Sequence, residues 1–439
     1  MRRLSTAVLI VVAAALVFGA APPPGESAAT AARWCGTEPV GTDRLPDVAR
    51  GGRQIHVVYA YPADASPDLA EASARLVGEA QAMDAWWRRE DWSRTLRFDR
   101  FLAPGCDEHL GDLDISHVGL PRSGADYLAS QTSLGGITSC LIRDLVDARG
   151  FSERGPKKYL VYYAGPIVAQ TPCGSGGTWF PMAFLGNVCG SGFGEGGDAT
   201  WVATHELLHG LGAVPTQAPH ACGSAHACDS PADIMNDFGR HPALADASLD
   251  VGRDDYYGHG GSWFDVRSSF WLARLDVPPA MLTVEIVGRG QGTVSSDEGT
   301  ISCPPRCSSE LDPGYPLTLT VDAAPGSTFL EWGGACSPSE LCALTVEGAM
   351  TVTARIEPAT SRLALAVTGK GTIVSTEGSC RRRCAFPAST GSSVSFRAKP
   401  ATGWRFARWT SGCRGARPRC TLAIEEPTRV AALFRRRTR

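Results

Sequence analysis

The chain has 439 residues, 43% hydrophobic and 20% charged, with a formal net charge of −3. That length is more than one hydrophobic core organises, so a single-domain protein is excluded and two or three domains are expected. A charge this near neutral selects no class of partner on its own. Met1-Arg2-Arg3 followed by an apolar run over residues 4–18 is the pattern of a secretory signal peptide, too short to span a membrane. Residues 1–32 are therefore expected to be the signal peptide and its cleavage region. No later segment approaches a membrane-spanning length, so the mature protein is expected to be exported. Fifteen cysteines agree with an oxidising compartment.

Residues 33–277 form the first folded segment. Residues 54–61 read as a strand. Residues 68–89 read as a helix, with Leu69, Ala72, Leu76, Ala80 and Met83 at helical spacing. Strands are expected at 95–101, 113–118 and 158–163, and helices at 127–131 and 139–148. Residues 178–184 read as an edge strand, because Pro181 lacks a donor for a central ladder. A helix then begins with Asp198 as its N-cap, carries Val202, Leu208 and Leu211 on its apolar face, and meets a left-handed stop at Gly212. This order predicts an α/β (α+β) sandwich with a site below the sheet.

That helix carries His205-Glu206-Leu207-Leu208-His209. Positions i and i+4 stand one above the other, about 5–6 Å apart at Cβ. Two imidazoles so placed can reach one zinc ion through bonds of about 2.0–2.1 Å. Glu206, beside the first ligand, can take a proton from water activated by the metal. A catalytic zinc needs a third protein ligand and an open position. No Glu occurs between Glu206 and Glu285, which disfavours the hydrolases that recruit a downstream glutamate. The remaining candidates are His220, His226, Asp229 and Asp233, with His241 and His259 further out.

His-Glu-x-x-His-x-x-Gly over residues 205–212 resembles the metzincin pattern, and Asp233-Ile234-Met235 resembles its Met-turn. In metzincins the third ligand usually follows three residues after that Gly, where this chain has Pro215. Together with Ala218-Pro219-His220, His226, Cys228 and Asp229, the segment is similar to a group of secreted bacterial metzincin-like peptidases whose loop after the Gly is lengthened. The resemblance implies a metzincin-like catalytic domain, Met235 below the metal, and His220 as the third ligand with His226 as runner-up. Asn236-Asp237 stands where that group tends to have Cys-Tyr, removing a tyrosine that would stabilise an oxyanion. Residues 254–263 resemble the end of the same group. Their acids could bind Ca2+, against the simpler reading of a solvated loop.

Val277-Pro278-Pro279-Ala280 is a linker, since paired prolines continue neither a helix nor an inner strand. Beyond it the chain repeats itself. Residues 282–290 match 363–371, Cys303 and Cys307 match Cys380 and Cys384, Trp332 matches Trp409, and Cys336 and Cys342 match Cys413 and Cys420. The offset is nearly constant, so residues 281–358 and 362–436 are two copies of one small all-β module. They resemble internalin B-repeat-like modules, which implies a stalk or adhesive appendage without chemistry. Thin cores benefit from staples. The expected disulfides are Cys303–Cys307, Cys336–Cys342, Cys380–Cys384 and Cys413–Cys420, with pairing across hairpins as the alternative. In the first segment proximity pairs Cys173 with Cys189, Cys222 with Cys228 and Cys35 with Cys106, leaving Cys140. No Cys-x-x-Cys pair occurs, which argues against a zinc knuckle. Trp332 and Trp409 read as core residues in preference to carbohydrate platforms.

Charge separates the copies. Acids outnumber bases roughly three to one over 282–357, whereas Glu377, Glu425 and Glu426 alone oppose seventeen Arg and Lys from residue 362 onward. The second copy could hold an anionic cell-wall polymer, nucleic acid or a membrane surface, or remain a solvated basic face that pairs loosely with the acidic first copy. No nucleic-acid motif accompanies the charge, so no specific nucleic-acid partner is expected. The leading expectation is a secreted zinc endopeptidase acting on a protein or peptide. The alternatives are a secreted adhesin or cell-wall-binding protein with a structural metal, and a zinc amidase acting on wall peptides.

Overall fold

Four strands run parallel and build the front domain: Gln54–Tyr61, Ile115–Gly119, Lys157–Tyr163 and Met182–Phe184. Gly174–Ser175 closes one edge antiparallel, giving the order 115–119, 54–61, 157–163, 182–184, 174–175. The computed structural model describes residues 51–101, 112–130, 134–149, 151–153, 155–167, 173–186, 198–223, 225–236, 242–336 and 341–437. The expected signal region, Cys35, Cys106, Cys189, Asp237 and His241 lie outside the described residues. All seven residues of Lys157–Tyr163 are buried, as a strand covered on both faces requires.

Helices α1 (Leu69–Glu90) and α4 (Asp198–Leu211) cover one face through Trp86, Trp87, Leu207 and Leu208. Helices α2 (Gly124–Ala129) and α3 (Leu134–Arg149) cover the other through Tyr127, Ile137, Leu141 and Leu145. The Asp68 carboxylate caps α1 by accepting from the amides of Ala70 and Glu71, each at 3.0 Å. The Thr200 hydroxyl of α4 donates to Glu79 of α1 and locks the two helices together. Asp198, expected as the cap of α4, is its first helical residue.

Two expectations need correction. Residues 182–184 are an inner strand, because Pro181 serves the ladder as an acceptor: the Val161 amide donates to its carbonyl at 2.8 Å, which costs no missing donor. The strand expected at 95–101 is two short pieces. Arg94–Leu96 pairs with Leu272–Arg274, and Arg100–Phe101 pairs with Asp112–Leu113. Between them the chain turns so that Asp99 reaches inward to His56.

Each C-terminal module is a pair of four-stranded sheets in the same strand order. In the first, 280–287 pairs parallel with 350–358; in the second, 360–368 pairs parallel with 428–436. Trp332 and Trp409 are buried, and each meets a phenylalanine (Phe329 or Phe406) at 5.2 Å and 61°. The duplicated sequence therefore folds into a duplicated core. All four expected module disulfides form. Polar contacts join the front domain to the first module: Arg97 pairs with Asp312, the Arg53 Nε meets Glu298 at 2.5 Å, and Gly52 packs on the Tyr315 ring.

Candidate metal centre

Helix α4 runs under the sheet and ends at Gly212, whose φ of +92° turns the chain back sharply. His205 is buried one turn after Trp201, and the two rings stack at 4.9 Å and 20°. Its Nδ1 lies 2.7 Å from the Ile234 carbonyl. That carbonyl holds the proton on Nδ1 and leaves the Nε2 lone pair facing outward. His209 Nε2 lies 3.1 Å from His205 Nε2, and His226 Nε2 lies 3.2 Å from it.

The three nitrogens thus converge on one point. Two ligands on a tetrahedral zinc, at about 2.0–2.1 Å each, stand about 3.3 Å apart. The observed spacings match that donor set. Burial, followed by the two neighbouring imidazoles, pushes the His209 ring down to about 3, so it is neutral and its lone pair is free for a metal.

His226 enters through a short hairpin, Ala221–Cys222 paired with His226–Ala227. Gly223 and Ala225 take positive φ in its turn, and the expected Cys222–Cys228 disulfide closes its base. The Ala227 amide donates to the Met235 carbonyl at 2.9 Å, so this hairpin is fastened to the expected Met-turn. Met235 is fully buried there. Asp233 brackets the turn, accepting from the Met235 amide at 2.7 Å, the Val251 amide at 2.8 Å and the Tyr256 hydroxyl at 2.9 Å.

His220, the first choice for third ligand, does not join the other two rings. It precedes the hairpin, and Asp255 holds it from two sides: its amide donates to Oδ1 at 2.8 Å and its ring Nδ1 lies 3.1 Å from Oδ2. The runner-up position, His226, is the one the hairpin delivers. Asp229 groups with His220 and Asp255, away from the three converging rings. His259 stacks on Trp263, and Asp233 is spent on the turn. The acids of the expected Ca2+ loop, Asp254 and Asp255, cluster with Asp250, but Asp250 accepts from the amides of Tyr256 and Tyr257, and Asp255 serves His220.

Glu206 is buried beside the first histidine, and burial pushes its carboxyl up to about 8. Two glycines missing from the sequence reading make its berth. A Cβ on Gly174 would lie 2.4 Å from the Glu206 side chain, and one on Gly176 would lie 2.4 Å from the His209 Cβ. The bare backbone of the edge strand therefore presses directly on α4. The signal was Gly174-Ser175-Gly176-Gly177, an alternation that leaves side-chain space for a neighbour.

A second polar line, also absent from the sequence reading, crosses the sheet. Ser116 Oγ lies 2.8 Å from His56 Nε2, and His56 Nδ1 lies 2.8 Å from Asp99 Oδ2. The order imitates a nucleophile, base and acid. However, Ser116 is 0% exposed, and Lys157 Nζ sits 2.5 Å from the same Asp99 oxygen. No substrate reaches it. Burial alone would lower the His56 pKa, but Asp99 outweighs it and the net shift is upward. The line is a structural clasp across three adjacent strands.

A family model described as "Divergent InlB B-repeat domain" matches residues 282–360 and 365–438. The two C-terminal modules are thus similar to this repeat family. No curated protein matches the chain. Among solved structures, a catalytically inactive OgpA from Akkermansia muciniphila, in complex with an O-glycopeptide substrate, is 12% identical over 91% of this chain and 100% of its own, at a TM-score of 0.29. The Bacillus anthracis TIE protein is 10% identical over 36% of this chain, at a TM-score of 0.24. This chain spans 33% of that protein's length. Likenesses this distant decide nothing about the front domain. The repeats and five disulfides among the described residues mark an extracellular protein. Among the described residues no helix is long and apolar enough to cross a membrane.

Proposed function

We propose that the chain is a secreted zinc-dependent endopeptidase with a metzincin-like front domain. The single observation that carries this reading is the convergence of His205, His209 and His226 beside a buried glutamate. These three would hold zinc through Nε2. Bound there, the metal would polarise a peptide carbonyl and lower the pKa of water towards about 7. Glu206 takes the proton of the attacking water and returns it to the leaving amine. Ile234 fixes the His205 tautomer, and the Cys222–Cys228 hairpin positions His226. Gly174 and Gly176 keep Glu206 and His209 from swinging away from the site. Ca2+ at Asp250, Asp254 and Asp255 is a separate proposal, tested by calcium titration of the metal-free protein.

The test is zinc analysis joined to digestion of a casein, gelatin and wall-peptide panel. One zinc per chain with cleavage that chelation stops supports the reading. One zinc with no cleavage would favour a repeat-bearing adhesin with a structural metal.

A further inference from the structure

The two repeats share strand order, cystines and buried tryptophan, so differences between them are not demanded by the fold. Their registers align position by position. Phe396 opposite Cys420 corresponds to Leu319 opposite Cys342. Phe406 opposite Phe434 corresponds to Phe329 opposite Ile356. On this alignment Arg397, Lys399 and Arg419 replace Thr320, Asp322 and Leu341 on one sheet. Arg405 and Arg435 replace Thr328 and Glu357 on the other. Two acids among those five positions in the first repeat give way to five cations in the second, a change from −2 to +5.

The second repeat's cations also stand against each other. Arg397 is directly opposite Arg419, and Arg405 directly opposite Arg435. Phe396, Ala398 and Phe434 between them are buried, while these arginines and Lys399 are exposed, so both pairs face outward. Directly opposed side chains lie about 4.5–5.5 Å apart at Cβ, and like charges there weaken a sheet. In the first repeat Glu357 pairs with Arg355 and Arg289. Among the described residues, no arginine of the second repeat has a carboxylate within ion-pair distance.

We infer that the outer faces of the second repeat bind a linear phosphodiester polymer. One guanidinium fork satisfies the two coplanar oxygens of a carboxylate. The fork also matches phosphate oxygens, and two forks side by side on one face can each take one non-bridging oxygen of a phosphodiester. Nucleic acid fits less well, because Trp409 and Phe396 are buried and Trp404 is half-buried against Gly369, leaving no open platform for bases. The inference is independent of the proposed peptidase activity.

The experiment measures binding of the full chain to soluble poly(glycerol phosphate), polyglutamate and single-stranded DNA across a salt series, with thermal melts alongside. Two double variants transplant first-repeat residues: Arg397→Thr with Arg419→Leu, and Arg405→Thr with Arg435→Glu. Arg289→Ala with Arg355→Ala is the control. The expected result is poly(glycerol phosphate) affinity that falls steeply with salt, drops roughly tenfold in each transplant at about 0.1 M salt, and is unchanged in the control. Undiminished binding in both folded transplants overturns the inference, as does absent or salt-independent binding by the parent chain. Equal or tighter binding to polyglutamate or DNA overturns the assigned occupant. Should a transplant fail to melt cooperatively, the parent chain's salt dependence and ligand ranking still decide.

Discussion

Between Gln54 and Asp255 the chain buries His56, Glu79, Asp99, Lys157, His205, Glu206, Asp233 and Asp250. Among the described residues of the second repeat it buries no charged side chain at all. The repeats are held by apolar cores and cystines. The front domain adds to its apolar cores buried polar groups whose partners must be exact in distance and kind, because an unpaired buried charge costs several kcal/mol. Charged groups are tolerated inside where they position other polar groups, and the described residues of the second repeat bury none.

The difference can be broken experimentally, beginning with the largest effect. Glu206→Gln should lower peptide hydrolysis by about 10²–10⁴-fold while zinc content and the melts of the repeats stay unchanged, read by a peptide assay with metal analysis. Near-parent activity would remove Glu206 from the mechanism. Lys157→Met strips one partner from the clasp on Asp99 and should destabilise the front domain by about 3–5 kcal/mol in a denaturant series. A loss under about 1 kcal/mol would mean the clasp is incidental.

Replacing Cys336 and Cys342 together by alanine opens a short loop and should cost the first repeat about 2 kcal/mol, with hydrolysis retained. Loss of hydrolysis would show that the regions are not separable. The smallest effect concerns Asp91 at the end of α1. Burial alone would raise its pKa, but hydrogen bonds from Ser93, Arg267 and Tyr257 hold it down at about 2. A carboxyl depressed in the folded state contributes stability above its unfolded pKa of about 3.9 and loses it as pH falls towards 2. Arg267→Ala should therefore flatten the acid limb of front-domain stability between about pH 4 and 2, and leave the repeats' limb unchanged.

Much of this was legible in residue order. The helix around His205 follows from apolar spacing and Gly212, and the doubled modules from a constant offset of cysteines and tryptophans. Their disulfides follow from short separations that leave few partners. What stayed hidden depended on contacts distant in sequence. His220 and His226 are equivalent as spacing. The hairpin that lifts one and the carboxylate of Asp255 that holds the other exist only after folding. Gly174 and Gly176 carry no side chain to announce them, yet Glu206 and His209 pack on their backbone. Pro181 looked like an edge residue because its missing donor is visible in sequence, whereas its working acceptor is not.

The most direct measurement is zinc affinity of the purified chain against its His226→Ala and His220→Ala variants, by competition with a chromogenic chelator. The parent chain and His220→Ala should bind one zinc alike, and His226→Ala should lose affinity by a factor of about 100 or more, on the order expected for a missing ligand. Loss in His220→Ala with retention in His226→Ala would contradict this.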